Sequence, residues 1–492
     1  MRSSNRFLSR RLFLQQTGRA SLSAAAAWVF ARDGGAHAAT PDKRIPNFVF
    51  ILIDDMGARD LGCTGSTFYE TPAIDRLASR SMLFNNAYAA APVCSPSRAA
   101  IHSGKTPARL RLTDWIPGRK QRPAAKLLVP SFEQQLALEE TTMAETLKAA
   151  GYVCASIGKW HLGGESFLPV NQGFDVNVGG GAMGGVKSHF GPFNLPGLGT
   201  GLSEEYLTER LTEEAEAFME THARNPFFLF LSHYTVHIPL NARQKAIDKY
   251  QGKSSPGQGQ NHPVYAAMID SLDACVGRLL AKLEALGIAD RTVVVFTSDN
   301  GGLRFEGGSK ASVTDNSPLR AGKGHLYEGG IRVPLIVRWP GVTDAGGSCG
   351  VPVSGIDFFP TLLEMAGVGT SLPRTVDGRS MVPLLKNSGR FKERDLYWHY
   401  PHYSNQGGKP SGAVRSGDYK LIEFYEDGRT ELYNLKQDPG EKDNRAEREP
   451  KRAAAMKKKL AAWRESVRAV MPSENPDFDP SRADQGLTGS TL

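Results

Sequence analysis

The chain has 492 residues, 40% hydrophobic and 22% charged, enough for a large core and more than one domain. Its formal charge of +8 is weighted to the N-terminus, because residues 1–38 carry six Arg and one Asp, which accounts for +5 and leaves +3 for the remainder. With Lys457-Lys458-Lys459 as the densest later basic tract, nucleic-acid binding is excluded, and no stretch of the mature chain is apolar for long enough to span a bilayer.

Ser9-Arg10-Arg11-Leu12-Phe13-Leu14 is a twin-arginine pattern; an alanine-rich apolar run through Phe30 and a small-x-small site at Ala36-His37-Ala38 follow. Residues 1–38 are expected to be an export signal, cleaved near Ala38, that takes the folded protein through the twin-arginine translocase to the periplasm or beyond. Setting Cys94 aside, Cys63, Cys154, Cys275 and Cys349 allow three pairings. They are expected to stay reduced, since such a protein folds before export.

From Asn47 the run Phe48-Val49-Phe50-Ile51-Leu52-Ile53 predicts a strand buried on both faces of a parallel sheet, and Asp54 and Asp55 follow at once. The construction returns at residues 153–157, leading to Lys159 and His161, and at 227–231, leading to His233 and His237. It returns again at 292–296, leading to Asp299 and Asn300. Helix-like segments lie between, at residues 71–80, 142–150, 206–224 and 266–286; the last carries Met268, Leu272, Cys275, Leu279 and Leu283 on one stripe. Such alternation predicts an α/β domain over residues 43–386, a large mostly parallel sheet flanked by helices on both faces. The ligand crevice of an open α/β sheet lies outside the strands' carboxyl ends, where all four polar groups would converge.

Residues 171–200 are Gly-rich and expected to be irregular, shaping access to that crevice, with Lys187 and His189 as candidate substrate-specificity residues. Over residues 387–471, short strands at 395–400, 413–415, 419–425 and 431–434 and a basic helix at 452–470 predict a smaller C-terminal antiparallel sheet with a packed helix. The polar tail, residues 472–492, is expected to be extended or poorly ordered.

Cys94 precedes Ser95, a natural N-cap, and Pro96, suited to the first helical position, so a helix is predicted from there to Gly104. A helix N-terminus favours an anion, whether a thiolate or a bound oxyanion; a small buried cysteine is the structural alternative. Asp54, Asp55, Asp299 and Asn300 offer oxygen alone, which suits a hard divalent cation, calcium before magnesium, rather than zinc. Taken singly, each acidic pair also fits a solvated turn, and His161 and His237 also fit structural roles. His102 is assigned a structural one.

Cys94-Ser95-Pro96-Ser97-Arg98 followed by Ala99-x-x-x-Ser103-Gly104-Lys105 resembles the signature of the type I sulfatases of the alkaline-phosphatase-like superfamily. Leu319-Arg320-Ala321-Gly322-Lys323-Gly324-His325 resembles a second block of that family, and the C-terminal pattern its smaller domain. The resemblance implies that Cys94 is oxidised to formylglycine by a formylglycine-generating enzyme. One hydroxyl of the aldehyde hydrate would attack sulfur and the other would expel sulfate, next to a single cation held by Asp54, Asp55, Asp299, Asn300 and the modified residue 94. It further implies that Arg98 orients the diol, Lys159 and Lys323 hold sulfate oxygens, His161 takes the diol proton, and His237 protonates the leaving oxygen with help from Lys323. Thr113-Asp114-Trp115-Ile116-Pro117-Gly118 and the Gly-rich insert resemble exported bacterial sulfatases acting on sulfated carbohydrates, which implies a sulfated sugar or glycan as substrate. The rivals are a phosphatase, phosphodiesterase or phosphonate hydrolase of the same superfamily, which would need extra His and Asp ligands for two metals. A rival of another class is a silent glycan-binding relative with Cys94 unconverted.

Overall fold

Asn47–Ile53 forms strand β1, and all seven of its side chains are buried. Because side chains alternate along a strand, this demands cover on both faces. Val49, Ile51 and Ile53 join one apolar cluster, while Phe48, Phe50 and Leu52 join another on the opposite face. The computed structural model describes residues 45–253, 259–305, 312–368, 375–388 and 391–482; the twin-arginine segment and the last ten residues of the tail lie outside them.

The large sheet continues with β2 (Met82–Phe84), β3 (Val153–Gly158), β4 (Val176–Val178), β5 (Phe227–Ser232), β6 (Thr292–Ser298), β7 (Leu335–Arg338) and β8 (Gly347–Cys349). Its eight strands run in the order β8-β2-β7-β6-β1-β5-β3-β4. Only β7 is antiparallel to its neighbours; the other pairs are parallel. In β6, β1, β5 and β3 the register pairs Ser298 with Ile53, Leu52 with Ser232, and Ser232 with Gly158, so the four carboxyl ends come out level. This is the mostly parallel, helix-flanked sheet expected.

Helices α1 (Pro72–Ser79), α4 (Leu207–His222) and α5 (Pro263–Ala285) cover one face, and α2 (Cys94–Ser103), α3 (Met143–Ala149) and α6 (Phe358–Met365) the other. The stripe expected on α5 is buried throughout. That helix starts three residues earlier than its periodicity suggests, because Pro263 occupies its first position and the His262 ring accepts from Tyr265 N. In α3, Thr142 and Glu145 cap each other reciprocally. Helix α2 also differs from expectation at its start: Val93 is the N-cap, Cys94 is already helical, and the Ser95 hydroxyl accepts from Ile116 N at 3.1 Å instead of capping the helix. Gly104 ends α2 with φ 67°, as the sequence predicts.

One further expectation is corrected. The Gly-rich stretch 171–200 is not irregular throughout, because Val176–Val178 adds the edge strand beside Ala155–Ile157. The tail is tied down at its start, where Ser473 and Glu474 pair with Leu128 and Leu127. Asn475 Nδ2 donates there to the carbonyls of Pro123 and Ala125, both at 2.7 Å.

A second sheet, β9 (Leu396–Tyr400), β10 (Ser411–Ser416), β11 (Tyr419–Phe424) and β12 (Thr430–Asn434), is an antiparallel meander. One of its faces buries α7 (Pro450–Ser466) through Ala453, Met456 and Leu460. The other packs Trp398, Tyr400 and Ile422 against Tyr88, Val93 and Ile331.

His102 lies on α2 between the rings of Phe230 and Trp160, with centroids 4.5 and 4.9 Å away, which fits the structural role assigned to it. Burial, reinforced by Arg98, pushes its pKa down to about 3 from 6.5. The unfolded chain therefore takes a proton that the folded chain refuses. Stability is full above about pH 6.5 and is lost as pH falls toward 3, with a loss of about 2 kcal/mol from His102 by about pH 5. Denaturant titrations across this range are expected to show the decline, and His102→Gln to remove its share of the slope.

Candidate active site

Each of the four level strand ends delivers polar side chains to one place. Asp54 and Asp55 follow β1, Asp299 and Asn300 follow β6, Lys159 and His161 follow β3, and His237 follows β5. Helix α2 brings Cys94 and Arg98, and the turn before Glu328–Ile331 brings Lys323. All are buried or nearly so. Asp55 and His161 hold left-handed φ values of 62° and 61°, each costing a non-glycine residue about 1–2 kcal/mol. The surrounding contacts hold both residues in these conformations.

The charges pair one to one. Lys159 Nζ donates to Asp54 Oδ2 at 2.7 Å, Lys323 Nζ to Asp55 Oδ2 at 2.8 Å, and Arg98 Nε to Asp299 Oδ2 at 2.9 Å. Arg98 Nη1 also donates to Lys159 O at 2.9 Å and to Ser232 Oγ at 2.7 Å, which fixes the guanidinium plane. Asn300 Nδ2 donates to Asp55 Oδ1 at 2.8 Å, and Asp55 N to Asp299 Oδ1 at 3.2 Å. The acidic pairs at 54/55 and 299/300 are therefore in direct contact.

Two buried oxygens, Asp54 Oδ1 and Asn300 Oδ1, have no hydrogen-bond partner. Ligand atoms of Asp54, Asp55 and Cys94 lie within 4.8 Å of one another. An unsatisfied, oxygen-rich donor set of this kind fits a hard divalent cation, which Asp54, Asp55 and Asn300 would hold; Asp299 Oδ2 is engaged by Arg98.

Burial raises Asp54 to about 7, with Lys159 opposing and Asp299 and Asp55 adding to the rise. For Asp55 burial acts in the same direction, but Lys323, His237 and Lys159 outweigh it and hold the carboxyl below the usual range. Burial also raises the Cys94 thiol, with Lys159 and Lys323 offsetting only part of the effect. Of the readings the sequence leaves open at this helix N-terminus, a free thiolate is disfavoured, since desolvation outweighs the dipole. His237 is pushed down to about 3 by burial and then by Lys323, and His161 is held well below its usual value by burial and then by Lys159. Both are neutral. His237 Nδ1 is 2.7 Å from Ile238 O and His161 Nε2 is 2.6 Å from Ile116 O. A carbonyl only accepts, so those nitrogens carry the protons. His161 Nδ1 is left as a buried, unpartnered base, and His237 Nε2, 3.7 Å from Asp55 Oδ2, as a lone pair.

A cavity of about 580 Å³ opens above this cluster and is lined by Cys94, His161, His237, Lys323 and Lys187, with Trp115 in its wall. Lys187 thus sits where the sequence places it. His189 does not: it is fully buried, with Nε2 2.9 Å from His237 O. The expectation that His189 faces substrate is corrected, because its ring is sealed away from the cavity with Nε2 against the backbone of His237. Asn405 and Gln406, contributed from the second sheet, also line the cavity and carried no recognisable signal. Gly184 had a weak one, as one glycine among many; a Cβ there would overlap the His161 ring.

This fold and this ring of acids, bases and cations define a hydrolase of the alkaline-phosphatase-like superfamily. The chain belongs to the sulfatase family, hydrolases of sulfate esters: residues 46–368 match the Sulfatase family model, and residues 321–466 match that of the N-sulphoglucosamine sulphohydrolase C-terminal region. It is 33% identical to a sulfatase of Formosa agariphila over 85% of this chain and 88% of that protein. It is 34% identical to N-acetylgalactosamine-6-sulfatase of Mus musculus over 76% of this chain and 71% of that one. The solved structure of Ps i-CgsB in complex with k-i-k-neocarrahexaose is similar with a TM-score of 0.73 at 26% identity, covering 89% of this chain and 96% of that one.

Gly184→Ala is expected to push the His161 ring off its bond to Ile116 O. A misplacement of about 1 Å beside a reacting centre costs about 100-fold in rate. Sulfate release measured alongside melting temperature checks this, a fall in activity with little change in melting being the expected pair.

Proposed function

We propose that this sulfatase works through formylglycine made from Cys94 and one divalent cation, calcium in preference to magnesium, held by Asp54, Asp55, Asp299, Asn300 and residue 94. The observation that carries this is the position of Cys94, in the first turn of α2 at the cavity and beside Asp54 and Asp55. In hydrated form formylglycine supplies a geminal diol, which a thiol cannot replace. The bound cation supplies a Lewis acid for that hydroxyl and for the sulfate.

The chain's own side chains do the rest. Arg98, fixed by Asp299, orients the group at position 94. Lys159 and Lys323 hold sulfate oxygens and offset charge as sulfur is attacked. His161 Nδ1 accepts the diol proton. His237 stands by the leaving oxygen; neutral at rest, it gains proton affinity when a sulfate anion binds, and Lys323 provides the adjacent ammonium. Lysine and arginine stand where a two-metal phosphatase would need further His and Asp ligands, which favours a sulfate monoester.

The substrate is a sulfated sugar or glycan fragment, with exo cleavage of a galactose- or galactosamine-type sulfate. The galactosamine sulfatase among the relatives and the carbohydrate in the similar structure support this, as does Lys187, an exposed cation at the cavity for a further anionic group. Export through the twin-arginine route would place the enzyme in the periplasm.

Mass spectrometry of the peptide spanning residue 94 is expected to show loss of sulfur in favour of the aldehyde or its hydrate; an intact thiol in active protein would sink this mechanism. Cys94→Ala is expected to reduce sulfate release to background. Chelation is expected to do the same, with calcium restoring more activity than magnesium. A panel of sulfated mono- and disaccharides assayed for free sulfate identifies the sugar.

A further inference from the structure

Part of the cavity lining is apolar, formed by Trp115, Ile116, Pro117, Val186, Ile238 and Pro239. Against it stand two carboxamides, Asn405 and Gln406, from the connection between β9 and β10. Only 9% of Asn405 and 6% of Gln406 is exposed, and neither amide is among the sealed side-chain atoms without a partner, so what remains open of these two residues faces the cavity. A carboxamide offers two N–H donors and an acceptor oxygen, and one that faces a cavity can exchange its water for the hydroxyls of a ligand. Two such groups on one cavity mark a place where a ligand completes the bonding.

The segment that carries them is firmly held. Arg119 Nη1 donates to Ser404 O at 2.7 Å and Gly408 N to Ser404 Oγ at 2.7 Å. His325 Nε2 lies 3.2 Å from Gln406 O, and His402 Nε2 lies 2.8 Å from Thr113 Oγ1. Gly324, with φ +83°, allows the close approach, since a Cβ there would stand 2.6 Å from Gln406 Oε1 and Ser404 Oγ. The amides are thus preorganised next to Lys323, and little ordering is needed when a ligand binds.

We propose that Asn405 and Gln406 determine substrate specificity, hydrogen-bonding ring hydroxyls of a sulfated sugar whose C–H face rests on the apolar wall. This rests on the assignment of the cavity as the place where the sulfate ester binds. A sugar is amphipathic in the required sense, with a hydrocarbon face and a rim of hydroxyls. An aryl or sterol leaving group would cover the same wall but leave both amides buried without partners, and such a site discriminates against the ligand lacking the hydroxyl.

The test compares the full-length protein with the N405A/Q406A variant on sulfated galactose and nitrophenyl sulfate, and measures binding of sulfated galactose by calorimetry. The ratio of kcat/KM on the sugar to that on the aryl ester is expected to fall about tenfold or more, with a matching loss of sugar affinity. Deoxy analogues of the sulfated sugar on the unaltered protein give a readout independent of the variant's folding, and loss of at least one hydroxyl is expected to lower kcat/KM about tenfold. An unchanged ratio with unchanged affinity overturns the proposal, and so do equal rates on every deoxy analogue. A protein that binds the sugar through these amides yet releases sulfate from no ester supports this assignment and overturns the catalytic one above.

Discussion

Three carboxylates and three cations share a water-poor space at the ends of four parallel strands, and none of the six could be buried there alone. An ion taken from water into such a place is strongly penalised unless an opposite charge and further hydrogen bonds meet it. Asp54, Asp55 and Asp299 are met by Lys159, Lys323 and Arg98 in that order. Each partner comes from a different part of the chain, so the pairing closes only when the sheet, α2 and the turn carrying Lys323 are all in place. The same constraint explains why two carboxyls adjacent in sequence part company, one raised and one lowered: burial at Asp54 is reinforced by two neighbouring carboxylates, Asp299 and Asp55, whereas at Asp55 it is opposed chiefly by Lys323. Asp54, Asp55 and Asn300 would be the residues to hold a divalent cation in such a cluster, and Lys159 and Lys323 would then be the cations left for an anionic substrate.

What could be read in the sequence follows the range of the physics involved. Burial on both faces leaves a continuous apolar run, so the strand at Asn47–Ile53 and the residues just beyond it were legible, as was the buried stripe of α5. The acids at 54, 55 and 299 were legible because a strand end in a parallel sheet is itself a location. Features set by contacts distant in sequence were not. Ser95 has the chemistry of an N-cap, and only the approach of Ile116 N gives its hydroxyl another use. His189 looks like any loop histidine until His237 O is found against its ring. The strand pairing at Ser473 depends on Leu127 and Leu128, more than 340 residues earlier. Cys94 shows the competition most directly: its helix position was readable, but the degree of burial that keeps its thiol protonated was not.

The second sheet is bound to the site by more than apolar packing. Glu328, five residues beyond Lys323, accepts from Lys420 Nζ at 3.0 Å and from Tyr88 OH at 2.8 Å, and its backbone N–H donates to Glu441 at 2.7 Å. Lys420 lies on β11, and it also reaches Glu441 at 2.9 Å. Burial raises Glu441 to about 7, with Lys420 opposing, while Lys420 and Arg332 overcome burial to lower Glu328 to about 2. This places a shared, fully buried ionic group between the turn that aims Lys323 and the sheet that presents Asn405 and Gln406. Removing one member would leave the others uncompensated, a loss of about 3–5 kcal/mol for buried pairs. The turn holding the cation and the loop holding the amides therefore keep one fixed relation, so the geometry that grips an anion and the geometry that reads what the anion is attached to are set by the same contacts.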